Sequence, residues 1–171
     1  MPPRMDSFAP LLVAPPPPRP PAEPAPHEAA LRRALDAARG VSLDPGEAEV
    51  WRFHVLSAEA ARTVAWLLAR RIEETTGLEP AMAALDQMRS VPGWVVVAAR
   101  RDADAEREAH YRERTLTAVQ RASLQLWSEG IRTGWSTEMA LEDPAFYEAA
   151  RMDMDTEVVL GVLWFGHAEK R

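Results

Sequence analysis

Side chains able to do covalent or proton chemistry are sparse in this chain, and their spacing is poor. There is no cysteine, which removes disulfides, thiolate metal sites and thiol nucleophiles together. His27, His54, His110 and His167 are scattered, with no i,i+4 pair and no carboxylate at ligand spacing, so no metal site is expected. Asp153 and Asp155 lie in a Met-Asp-Met-Asp stretch that reads as a solvated turn. No glycine-flanked serine elbow supports a Ser-His-Asp triad. Nucleic acid is excluded on charge, because 20 basic against 26 acidic residues leave a net charge of −6, a field that does not attract a phosphate backbone.

The elements that would position any site follow from periodicity and punctuation. Residues 1–27 form a proline-rich tail, with Pro15 to Pro18 continuous; without amide donors it is expected to be extended or disordered. Within it, Phe8, Leu11, Leu12 and Val13 suggest a short docking element, and Pro-x-x-Pro spacing reads as a linker more readily than as an adaptor ligand. Residues 28–171 read as one domain: 47% of the whole chain is hydrophobic, enough to close a single core. Residues 28–39 read as a helix stopped by Gly40. Trp51, Phe53 and Val55 alternate with Arg52 and His54, the period of a strand with one wet face. A helix follows from its cap Ser57 to Gly77, and a shorter one runs from Pro80 through Met88. Residues 94–99 are an unbroken apolar run, expected to be a strand buried on both faces. The longest helix spans 105–129; its Leu116, Val119, Ala122, Leu124, Leu126 and Trp127 predict burial on two sides, as in a central helix or one at a dimer seam. A short strand at 133–136, a helix capped by Asp143 before Pro144, and a buried strand at 158–165 complete an α+β order. No run is apolar enough for a membrane span and no secretory leader is evident, so a cytoplasmic location is the default expectation.

Three segments, taken in order, resemble the nitroreductase family of flavoproteins. Residues 118–130 followed by 131–135 are similar to its central helix and the tryptophan-bearing strand after it: Gln120, Gly130 and Trp135 fit, while Arg121 replaces the usual asparagine. Val50-Trp51-Arg52-Phe53 resembles a Gln-Pro-Trp-x-Phe strand, and residues 158–166 resemble a closing strand that ends in an apolar-Gly pair. The resemblance covers roughly residues 22–168 and is nearest to the small, minimal members. It implies the FMN-dependent nitroreductase fold, a central mostly antiparallel sheet flanked by helices. It further implies a homodimer with FMN at the subunit interface and NAD(P)H reducing a quinone or nitro compound.

Matched position by position, the family's cofactor contacts are thinned. Its N-terminal arginine cluster falls on the proline run, where Arg19 alone remains. Its glutamine before Pro-Trp becomes Glu49 followed by Val50, and a carboxylate there would repel an anionic reduced flavin. The basic residue after the strand tryptophan becomes Ser136, with Thr137 beside it and Arg132 close enough to compensate. Asp44, Trp51, Gln120, Gly134 and Trp135 survive, although packing explains the two tryptophans and Gln120, and a turn explains Asp44. Arg32, Arg33 and Arg39 belong to the first helix and are expected at its surface, with one of them a candidate to face the site. Two readings stay open: an FMN oxidoreductase with Trp51, Arg132, Trp135 and Ser136 near the flavin, or a flavin-free pseudoenzyme or binding protein keeping the fold and dimer.

Overall fold

The computed structural model describes residues 27–40, 50–137 and 142–167. Their order is α1 (His27–Arg39), β1 (Trp51–Val55), α2 (Ala58–Thr76), α3 (Leu78–Arg89), β2 (Gly93–Arg100), α4 (Ala105–Ser128), β3 (Ile131–Ser136), α5 (Pro144–Ala150) and β4 (Glu157–His167). Helix starts lie where oxygen-bearing side chains can hold the orphan amides of a first turn. Ser57 Oγ accepts from Ala60 N–H at 3.2 Å, Asp104 accepts from Glu106 and Arg107, and Asp143 accepts from Ala145 just after Pro144 has opened α5. Gly77, at φ 97°, ends α2 and starts α3, a backbone corner that a Cβ would strain. The third helix therefore begins two residues before Pro80, which stays in its first turn, where no amide is needed.

The strands form one antiparallel sheet in the order β1-β2-β4-β3. Trp51, Val95, Val97, Ile131, Leu163 and Phe165 point to one face, where α1 and α4 cover them. Trp94, Val96, Val159 and Val162 point to the other, under α2, α3 and α5. Burial on both faces explains why 94–99 carries no polar alternation. Val159 and Val162 share a face despite their odd spacing because the register slips beside Val97: that residue pairs with Gly161 and the next, Ala98, with Val159.

Glycine serves packing at two pairings. The Phe165 ring fills the space a side chain at Gly93 would need, its Cζ 2.1 Å from that Cβ position. At Gly161 the Cβ position lies 2.7 Å from Trp135 Cζ2 and 2.4 Å from the Ser136 carbonyl.

The two-sided burial expected of α4 is only half met within one protomer. Thr115, Ala118, Val119, Ala122 and Leu126 are buried against the sheet and α1, but Leu116 is 41% and Leu124 48% exposed. One short neighbouring helix cannot cover both flanks of a 24-residue helix. Among the described residues no helix is long and apolar enough to cross a membrane.

Candidate functional site

β3 is an edge strand, so its alternate residues meet different surroundings. Ile131 and Thr133 point inward and are buried, and Thr133 Oγ1 accepts from Trp127 Nε1 at 2.6 Å, fastening the strand to the end of α4. Arg132, Gly134 and Ser136 occupy the other side, paired with Gly166, Trp164 and Val162 of β4. Arg132 is exposed and makes no ion pair or side-chain hydrogen bond among the described residues. A Cβ at Gly134 would meet a single neighbour, the benzo-ring carbon Cε3 of Trp164 at 4.0 Å, so there is open space over the glycine. Trp164 stacks on Trp94, with centroids 5.7 Å apart and planes 16° from parallel, yet its buried Nε1 has no hydrogen-bond partner. A buried indole N–H without an acceptor is costly, by about 1–3 kcal/mol, and such groups are uncommon in folded proteins. Arg132, Gly134 and Ser136 thus share one side of the edge strand, with open space over the glycine and the Cε3 edge of Trp164, not its buried Nε1, beside it.

Trp135 points away from this cluster, packed over Gly161 and 36% exposed. Trp51 lies on Trp135's side of the sheet, but in β1 at the opposite edge and fully packed in the core. With two strands between them the tryptophans are separated by roughly 14 Å across the sheet alone, at about 4.8 Å per strand. Within one chain, then, Arg132, Gly134 and Ser136 come together, and Trp51 stands apart with a packing role. Gln120 is exposed on α4. Arg19, Asp44 and Glu49 lie outside the described residues, as do the element expected at residues 8–13 and the rest of the proline-rich tail.

None of the α1 arginines reaches the β3 cluster. Arg32 pairs with Glu28 and Arg39 with Asp36 on the helix surface. Arg33 forks onto Glu129 at the end of α4, its Nε donating at 2.9 Å. The hydrogen bond from Arg33, supported by one from Gln125, holds the Glu129 carboxyl down at about 2. Before α4, Arg107 does the same for Asp102, also at about 2. His54 and Arg52 lie near the buried Glu157, with His54 Nε2 3.0 Å from Glu157 Oε1. No three His, Cys, Asp or Glu among the described residues gather as a metal site would require. Asp153 sits in the turn before β4, accepting from the Asp155 amide.

Sequence reasoning missed Trp164 and the Trp127–Thr133 bond. The available signal was polar atoms on apolar elements: an indole N–H in a buried strand and a threonine in an inward register both demand a partner.

No family model matches the chain, and no curated protein matches it. Solved structures do. A nitroreductase-like family protein from Bacillus cereus superposes with a TM-score of 0.68 at 18% identity, over 84% of this chain and 75% of that one. The FMN and NADPH-dependent nitroreductase NfnB from Sphigopyxis sp. strain HMH gives 0.66 at 14% identity, over 87% and 82%. A putative nitroreductase in complex with FMN from Desulfovibrio desulfuricans gives 0.64 at 19%, over 90% and 83%. The chain has the nitroreductase fold.

Proposed function

We propose that this protein is an FMN-dependent oxidoreductase of the nitroreductase kind, using NAD(P)H to reduce a small quinone or nitro acceptor. The observation that carries the reading is the β3 cluster, in which Arg132 and Ser136 flank the open space over Gly134 on one side of the edge strand.

These residues fit the group. A phosphate dianion calls for cationic and hydroxyl donors, which Arg132 and Ser136 offer. A flat ring needs a floor without a side chain, which Gly134 supplies. When bound, FMN supplies the hydride and electron chemistry. The chain's own residues neutralise charge through Arg132, orient through Ser136, and keep β3 in place through the Thr133–Trp127 bond. Arg19, Asp44 and Glu49 belong to the proposed site on the strength of the resemblance. A homodimer through the open flank of α4, with Leu116 and Leu124 at its centre, brings a second Trp51 and Trp135 into play.

Flavin spectroscopy tests this directly. The purified protein is expected to show flavin absorbance, or to quench the fluorescence of added FMN, and to oxidise NADPH or NADH when a quinone is supplied. Colourless protein that leaves FMN fluorescence untouched at high concentration would make the chain a flavin-free binding protein built on this fold.

A further inference from the structure

Well away from β3, α2 and α3 leave a groove of about 300 Å³ lined by Trp66, Arg70, Leu78, Ala81, Met82 and Leu85, among others. Trp66 is 53%, Leu78 62% and Met82 48% exposed. Leu78 and Met82, one helical turn apart, form a second apolar stripe on α3 beside the one that Ala81, Leu85 and Met88 bury. At the rim, Arg70 pairs with Glu74 and stands 6.0 Å from the Trp66 ring centroid, and Glu73 adds a carboxylate, while the floor is apolar. The floor asks for an uncharged apolar occupant.

We propose that the groove is covered by residues 8–13 of this same chain, Phe-Ala-Pro-Leu-Leu-Val. The segment carries no charge and is the one cluster of large apolar side chains in residues 1–26, which are otherwise mostly proline, alanine and polar residues. Proline-rich segments dock onto aromatic-lined grooves because little chain entropy is lost, and here Trp66 is the aromatic wall and Pro10 the matching residue. Reach is sufficient: the thirteen residues 14–26 before α1 span roughly 40 Å at about 3.1 Å each. The path from the α1 layer round the sheet to the α2–α3 layer crosses two layer spacings of about 10 Å each. Tethering decides the occupant, since a short linker holds its cargo at an effective concentration in the millimolar range, above that of a free partner of equal chemistry.

Because the chain has no cysteine, Ala14→Cys accepts a single nitroxide label next to the segment. In the full, isotopically enriched chain, the amides of Ala69, Met82 and Leu85 are expected to lose intensity relative to the reduced label, while those of α4 keep theirs. Adding Leu11→Asp and Leu12→Asp to the labelled chain should restore the lost signals with the circular dichroism spectrum unchanged. Intensity loss at no amide of α2 or α3, or loss that survives the double aspartate variant, overturns the proposal. Loss at the same amides when labelled, unenriched chain is mixed with unlabelled, enriched chain also overturns it, since the occupant is then a second copy.

Discussion

Replacing Gly134 by alanine separates what the fold asks of that residue from what a ligand asks. Gly134 is not among the glycines with positive φ, so an L residue enters without backbone strain. The added methyl would meet Trp164 Cε3 at 4.0 Å, an ordinary van der Waals distance, and nothing else. Glycine inside a strand is less stable than alanine by roughly 0.5–1 kcal/mol, so the variant is expected to gain about that much. For a chain of this size the gain raises Tm by roughly 1–4 °C. FMN affinity should move the other way, because the methyl stands where the proposed ring would lie. An overpacking cost of about 1–3 kcal/mol corresponds to a loss of roughly five-fold to a hundred-fold in Kd. Urea unfolding without added FMN gives the first quantity and fluorescence titration with FMN the second. Destabilisation by about 1 kcal/mol or more would mean the slot is already filled by the chain. Unchanged FMN affinity would mean that Gly134 is no part of the binding surface.

Arg132→Gln should weaken FMN binding by at least about tenfold, the worth of one charge-assisted hydrogen bond; because the guanidinium is exposed with no ion-pair partner among the described residues, Tm is expected to stay put in a thermal melt. Trp127→Phe and Thr133→Val should couple by about 1 kcal/mol in a double-mutant cycle read by urea unfolding, and strict additivity would show that their 2.6 Å contact contributes nothing. Gly161→Ala drives a Cβ against the Ser136 carbonyl and the Trp135 ring, so about 1–3 kcal/mol should be lost in the same assay, with a shift in tryptophan emission. Glu129, held at about 2 by Arg33 and Gln125, lies below its ordinary value of 4.5. Its clasp on α1 is therefore complete above that ordinary value and disappears as pH falls through the depressed one. Hydrogen exchange of α1 amides should accelerate over that window in the native chain, and a Glu129→Gln variant should lose this pH dependence.

Most of the fold was legible because its signals are local. Ser57, Asp104 and Asp143 announce helix starts through their own oxygens, and Gly77 announces a stop through its backbone. Errors of one or two residues arose where a tertiary contact extends an element: β3 starts at Ile131 because Gly130, at φ 77°, turns the chain at once into pairing with β4. The site was legible only in part. Arg132, Gly134 and Ser136 share a side because strand period is a local property. The distance between Trp51 and Trp135 depends on a strand order that no local pattern encodes. Trp164 was hidden for a similar reason, since its lack of an acceptor becomes visible only once the strands and helices are packed around it.

The last of the four described strands along the sequence, β4, is one of the two interior ones. β4 pairs with both β2 and β3, so until residues 157–167 have been synthesised the sheet exists at most as the antiparallel β1–β2 pair, joined through α2 and α3, and a stray third strand. Assembly of this sheet must therefore wait for residues 157–167, and a nascent chain halted before Glu157 leaves β2 without its β4 neighbour. Such a truncated product would be a substrate for chaperones and proteases rather than a smaller working protein.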